Sequence, residues 1–189
     1  MKLIRISDPE KGEINYNLEN TITIGEFNNI ISSMSRKLSL TKVADIKLAR
    51  DRAPGYIYEN KSKIWHHENE GFTYCITVND KIVKIGMTEK SLVSRFSSYQ
   101  AGTKKARNKG TCSVTNYYCS EFIREALASD MKVEIYAYHV PTKYIETNIL
   151  GTNHKLVAKQ AYAYEDALLS LYKEQKGEVP ALCRNTSLT

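Results

Sequence analysis

Residues 71–99 read GFTYCITVNDKIVKIGMTEKSLVSRFSSY, from Gly71 to Tyr99. Phe72, Tyr74, Ile76 and Val78 alternate with Thr73, Cys75 and Thr77, the period of two that marks a β-strand. Asn79-Asp80-Lys81 is turn chemistry, and Ile82-Val83-Lys84-Ile85 is a second strand closed by Gly86. Thr88 or Ser91 can cap a helix that carries Leu92, Val93, Phe96 and Tyr99. A hairpin running straight into a helix is the seed from which the rest of the chain is read.

Downstream, Gly102 to Gly110 is a basic loop. Ser120 to Ala128 predicts a helix with Phe122, Ile123, Ala126 and Leu127 inward. Val133, Ile135 and Ala137 alternate with Glu134, Tyr136 and Tyr138 as a third strand, and residues 140–157 suit a hairpin. A helix from about Lys159 to Lys173 carries Ala161, Leu168, Leu169 and Tyr172, and Pro180 opens an extended tail. Upstream, Leu3, Ile4 and Ile6 make a short edge strand stopped at Asp8-Pro9. Phe27, Ile30, Ile31, Met34 and Leu38 recur at helical spacing. Val43, Ile46 and Leu48-Ala49 suggest a further helix ended by Pro54-Gly55. The expected class is α+β: a small central antiparallel sheet flanked by helices. The division expected is a helical and extended N-terminal elaboration over residues 1–70 and a core over 71–189.

The 189 residues hold 42% hydrophobic and 25% charged residues, which excludes a disordered or collagen-like chain. That length buries a core without a metal or disulfide staple. No window approaches 18 consecutive apolar residues, so no transmembrane helix is expected. Asp8 comes too early for the apolar stretch of a signal peptide, and a cytoplasmic protein is expected. Cys75, Cys112, Cys119 and Cys183 form no CxxC pair and no zinc spacing, so they read as free thiols. His66, His67, His139 and His154 read as ordinary residues, not catalytic ones.

The net charge of +6 is concentrated. Lys81, Lys84, Lys90, Arg95, Lys104, Lys105, Arg107 and Lys109 share the stretch up to Gly110 with Glu89 alone as an acid. That segment is net +7, which leaves about −1 for the rest. One basic region on a near-neutral body suits a polyanion, although a solvated lysine-rich loop would look the same. Arg36, Lys37, Lys42, Lys47, Arg50 and Arg52 are further cations able to meet a nucleic-acid backbone.

Two polar positions sit oddly in this pattern. On a helix, Glu165 shares a face with Leu168, Leu169 and Tyr172, so its carboxylate must lie at the rim, be paired, or hold a metal. Asp166 points elsewhere and reads as solvated. Tyr74 lies on the face of Phe72 and Ile76. A three-residue turn puts Lys84 on that same face, and a two-residue turn puts it on the other, because register parity decides the side. Taken singly, Tyr74 reads as a core aromatic with its hydroxyl at the edge and Lys84 as a strand-edge charge.

Phe72-Thr73-Tyr74, then Lys84-Ile85-Gly86, then Arg95 and Tyr99 one helical turn apart, then Glu165, resembles the GIY-YIG nuclease superfamily. It is most similar to the superfamily's compact type II restriction endonucleases, which also carry Lys-Ile-Gly as second motif and a block like Asn108-Lys109-Gly110-Thr111-Cys112-Ser113-Val114-Thr115-Asn116-Tyr117. The resemblance runs from about Gly71 to His139 and resumes around Glu165. Phe72 stands where the first motif has glycine, and Lys84 where the second has tyrosine. Pro180-Ala181-Leu182 is followed by Cys183 where many relatives have asparagine, with Asn185 nearby.

The resemblance implies phosphodiester hydrolysis with Tyr74, Lys84, Arg95, Tyr99 and Glu165 as the catalytic set. Glu165 is the single carboxylate and metal ligand, which implies one divalent cation, Mg²⁺, keeping several waters. Arg95 offers a fork of donors to the phosphate. Tyr74 is the general base, and an ammonium such as Lys84 favours its phenolate. Tyr99 orients the water or the phosphate. Lys104, Lys105, Arg107 and Lys109 are expected on phosphates, and Thr111, Ser113, Thr115 and Asn116 at base edges. The expected partner is double-stranded DNA, cut at a short specific site by a homodimer, with no membrane and no small-molecule cofactor. The competing readings are a low-specificity nuclease of phage or repair type and a DNA-binding module without cleavage.

Overall fold

The computed structural model describes residues 3–8, 12–35, 37–49 and 55–186, without the side chains of residues 8 and 184–186. In chain order it forms β1 (Ile4–Asp8), β2 (Gly12–Tyr16), α1 (Ile24–Met34), β3 (Thr41–Leu48), β4 (Tyr56–Glu59), β5 (Gly71–Val78), β6 (Lys81–Thr88), α2 (Leu92–Gln100), α3 (Lys104–Asn108), α4 (Val114–Ala128), β7 (Val133–Val140), β8 (Lys143–Ile149), β9 (Thr152–Ala158) and α5 (Ala161–Lys176). Two 3₁₀ turns, Lys63–His66 and Ala181–Thr186, complete it.

An antiparallel sheet of order β4-β3-β7-β5-β6 lies at the centre. Every residue from Phe72 to Val78 is buried, because helices cover both faces. Tyr74 and Phe72 share one core with Phe96, Tyr99, Phe122 and Ile123 of α2 and α4. Cys75 and Ile85 share a second with Phe27 and Ile31 of α1 and with Leu168 and Tyr172 of α5. The alternation of Thr73, Cys75 and Thr77 with larger residues thus marks two buried faces, not a wet one.

The β5–β6 register settles the parity question by a different device. Val78 pairs with Lys81 across a two-residue turn, with Asn79 at φ 47° and Asp80 at φ 64°, the left-handed pair that tight hairpins favour. Alone, that turn would put Lys84 on the opposite face from Tyr74. A bulge intervenes: Thr77 pairs with Ile82 but Ile76 pairs with Lys84, so Val83 is the extra residue. Lys84 therefore shares the Tyr74 face at the sheet's edge strand.

Several expectations are corrected. Residues 43–48 are not helical but form β3, pairing with β4 and β7. Val43, Ala44, Asp45 and Ile46 are all buried, a run whose periodicity cannot separate strand from helix. Asp45 and the buried Glu134 flank the exposed Lys42 ammonium at 2.6 Å each, so Lys42 is already paired with two carboxylates. The basic loop is partly the short helix α3, capped by Thr103. Helix α4 starts at Val114, six residues before the expected start, because the Ser113 hydroxyl caps it by accepting from the Asn116 N–H. The segment after Pro180 is a 3₁₀ turn docked on β6, with Leu182 and Cys183 buried, rather than an extended tail. The expected β1 strand, α1, β7, the 140–157 hairpin and α5 are all formed. Pro9, Arg36, Arg50, Arg52, Pro54 and the side chain of Asn185 lie outside what is described.

Among the described residues, no helix is long and apolar enough to cross a membrane. Cys75, Cys112, Cys119 and Cys183 are free thiols. His67 and His139 share the Glu70 carboxylate, at 3.0 and 2.7 Å.

Candidate functional site

Helix α2 brings Arg95 and Tyr99 against β5. Its N-terminus is fixed by the Ser91 hydroxyl, which accepts from the Ser94 N–H. Phe96 anchors the helix: Trp65 stacks on it at 5.3 Å, and Tyr74 meets it edge-on at 5.0 Å between centroids. The Tyr58 hydroxyl donates to the Phe96 carbonyl at 2.9 Å. Tyr58 and Trp65 come from the first 70 residues, and nothing in the motif spacing pointed to them as supports.

Arg95 holds the centre. Its Nε donates to the Tyr74 hydroxyl at 2.7 Å and its Nη2 to the Tyr99 hydroxyl at 3.0 Å, while the two phenol oxygens lie 2.7 Å apart. The guanidinium also sits 4.6 Å over the Tyr99 ring. Two of the five N–H donors of arginine are used this way, which leaves three for a ligand oxygen.

Burial pushes the Tyr74 phenol above its ordinary value, with the Arg95 and Lys84 cations opposing it. The expectation that Lys84 lowers Tyr74 holds as a direction of that one influence, but burial outweighs it. Tyr99 is pushed up further, by burial first and then by Tyr74. Any phenolate in the pair therefore belongs on Tyr74, accepting from both Tyr99 and Arg95. Burial works against the Lys84 charge, yet the Cys183 and Cys119 thiols, Tyr74 and Glu165 carry the net shift upward, so Lys84 stays an ammonium. Its Nζ donates to the Leu182 carbonyl at 3.4 Å.

Glu165 lies on α5 beside a cleft of about 290 Å³ lined by Lys84, Tyr162, Glu165, Asp166 and Leu169. Burial raises its carboxyl above the usual range, with Lys84 and Arg95 opposing. Asp166 is exposed as expected, but it lines this cleft rather than pointing away from it. Among the described residues, no group of three or more His, Cys, Asp or Glu converges on a metal position. One half-buried carboxylate facing an open cleft suits a hard cation that keeps most of its waters.

Gly86 is a site residue by subtraction. A Cβ there would lie 2.4 Å from the Tyr74 hydroxyl, so the bare backbone of β6 is what lets the phenol reach Arg95. Gly86→Ala is expected to cost about 1–3 kcal/mol by overpacking. Displacing the phenol by about 1 Å should also slow any reaction there by about 10²-fold. Thermal melting and rate assays on this variant check both. Gly102 has a similar role: a Cβ would meet the Asn116 carbonyl oxygen at 2.3 Å, so it lets the α2–α3 link pass against α4.

Further cations follow α2 along the chain. Lys104, Lys105 and Lys109 are exposed on and after α3, and Arg107 is half-buried. Thr111 donates its hydroxyl to the Ala106 carbonyl at 3.1 Å, and Ser113 is the α4 cap. Thr115 and Asn116 stand half-buried in the first turn of α4.

No known protein family and no curated protein matches the sequence. Solved structures do match. The restriction endonuclease HPY188I, in complex with product DNA, superposes at a TM-score of 0.54 with 21% identity over 88% of each chain. A variant of bacteriophage T4 EndoII superposes at 0.54 with 19% identity, over 78% of this chain and 96% of that one. At these identities the likeness is one of fold: a mixed α+β chain with a central antiparallel sheet flanked by helices.

Proposed function

We propose that the chain is a GIY-YIG-type endonuclease that hydrolyses double-stranded DNA at a short specific site, as a homodimer with one Mg²⁺ per active site. The observation that carries this reading is the Arg95 fork on both Tyr74 and Tyr99, with Lys84 and Glu165 at the adjoining cleft. Support comes from the fold shared with the restriction endonuclease HPY188I and with bacteriophage T4 EndoII.

In this reading Arg95 binds the scissile phosphate with its free N–H donors and compensates charge developing on the phosphoryl oxygens. Tyr74 takes the proton of the attacking water. It acts as the phenolate, which accepts from Tyr99 and Arg95 and is steadied by the Lys84 ammonium, and it becomes the neutral phenol once it has taken that proton. Glu165 holds the cation, which would supply charge neutralisation at the phosphate and the leaving oxygen. Residues 71–189 carry this chemistry, and residues 1–70 support it through Tyr58 and Trp65.

Glu165 gives activity and stability opposite signs. Its folded-state pKa is raised, so the fold favours the protonated carboxyl. The ionised form costs stability at neutral pH, and that cost disappears as pH falls below the ordinary carboxylate range. Glu165→Gln should leave the melting temperature equal or higher by about 1–3 °C. Mg²⁺ should raise the melting point of the wild type and not of the variant. Thermal scans with and without Mg²⁺ check this.

Lys104, Lys105, Arg107 and Lys109 are placed on phosphates, where they position the duplex without reading it. Lys105→Ala should weaken binding to every sequence and reduce the log–log salt slope by about 0.9; an unchanged slope removes Lys105 from the interface. Thr111, Ser113, Thr115 and Asn116 are placed near base edges. The Thr111 and Ser113 hydroxyls already serve backbone groups, so Thr115 and Asn116 are the better readers.

Digestion of unmethylated DNA tests the specificity. Discrete fragments support a site-specific enzyme. A smear keeps the nuclease and replaces site specificity with the low-specificity reading. Shifted but uncut DNA leaves a binding module.

A further inference from the structure

The β8–β9 ribbon is built like half of an interface. It pairs only with itself and packs substantially on no other element. A lone two-stranded ribbon is marginal in water, so something must cover it. Cross-strand partners share a face, and the register puts Ile145 with Leu156 and Ile149 with Thr152 on one side. All three apolar side chains there stand about half exposed. The other side mixes polar and apolar groups: Asn148 donates to Asn153 at 2.8 Å, Lys155 lies over the Tyr144 ring, and Val157 is exposed beside it. At the tip, Leu150 is fully exposed and held at φ 51°, a conformation that bulky residues rarely adopt. The ribbon thus carries an apolar knob on an apolar stripe.

A matching socket exists on the same chain. Between α1 and α5 lies a groove of about 350 Å³ lined by Ile31, Met34, Leu38, Ala167, Leu168 and Leu171, with almost no polar surface. Met34 is largely exposed at its edge. Only Lys159 and Gln160 separate the end of β9 from the start of α5. Arm and groove are therefore close along the chain.

We propose that two copies of this chain pair about a two-fold axis by exchanging arms, each β8–β9 tip seating Leu150 in the partner's α1–α5 groove. Each copy carries both halves of the contact, so the pair closes on itself without exposed leftovers. Doubling matters, because a specific interface needs about 1,000 Å² in total and one ribbon is small. DNA suits this surface poorly. Phosphates are met by lysine and arginine, and the stripe's cross-strand set of residues 143–149 and 152–158 on that face holds only Lys143 and His154 as potential cations. The proposal rests on the nuclease reading only for its purpose, which is to bring two active sites to two strands.

Sedimentation without DNA, at micromolar concentration, tests it independently of cleavage. The wild type should be a dimer. Leu150→Asp and Met34→Lys should each weaken pairing at least tenfold, with unchanged circular dichroism. Mixing the two variants should restore a dimer, because the acidic arm then meets the basic groove while the other contact stays as in the wild type. That rescue is inaccessible to a chain that has merely failed to fold. A monomeric wild type would overturn the proposal, as would a dimer untouched by both variants. So would a Leu150→Asp variant that still dimerises but binds DNA less well, which would assign the arm to the duplex.

Discussion

Tyr74→Phe, which removes one oxygen atom, is expected to slow DNA cleavage by about 10³-fold while leaving DNA binding intact. Positioned general bases contribute about 10²–10⁴-fold, and this hydroxyl is where the Arg95 Nε–H donor and the Tyr99 hydroxyl converge. The same residue sets the pH dependence. Burial raises the Tyr74 phenol above its ordinary value, so the phenolate is scarce at neutral pH. The wild-type rate should therefore climb with pH, about tenfold per unit, through neutrality and beyond. In Tyr74→Phe the residual rate should lose that slope. A slope that survives the substitution would transfer the base role to another group. The ring itself is buried against Phe96, so the variant keeps its packing, and the comparison reads chemistry rather than folding.

Arg95 should be nearly as sensitive. Arg95→Ala removes the donor to two buried phenols and the candidate phosphate clamp together, and a loss of about 10²–10³-fold or more is expected. Arg95→Lys separates the two functions. A lysine can place a charge near a phosphate, but it lacks the planar fork that reaches the Tyr74 and Tyr99 oxygens at once. It should recover salt-dependent DNA affinity and little of the rate. Rate recovery by lysine would mean that Arg95 acts as a point charge and that its hydrogen bonds to the phenols are incidental.

The hairpin Gly71–Thr88 and the capped helix after it were legible because alternation, turn residues and a Ser cap agree. The partnership of Tyr74 with Lys84 was legible only conditionally. It depends on a bulge at Val83, and one added residue leaves no mark in composition or periodicity. The strand Thr41–Leu48 was misread because Val43 to Ile46 are all buried. A strand covered on both faces loses the alternation that identifies it, and its pairing with β4 and with β7, about 90 residues away, makes it a strand. Glu165 was visible as a carboxylate on an apolar helical face. Gly86 is expected from the sequence to close the second strand, whereas β6 runs on to Thr88, and its need for bare backbone emerges only from the position of the Tyr74 hydroxyl. The apolar ribbon 143–158 was read as a hairpin, and its lack of cover is a tertiary fact.

The central claim is that Tyr74, Arg95 and Glu165 form one metal-dependent cleavage site. The most direct measurement compares wild type with Glu165→Gln on the same duplex, with and without Mg²⁺, scoring cleavage and gel shift together. The account predicts cutting by the wild type only with Mg²⁺, and a variant that binds as well but cuts at least about 10³-fold more slowly, the loss of several kcal/mol of transition-state stabilisation. Equal cutting by Glu165→Gln, or cutting by the wild type without any divalent cation, would contradict it.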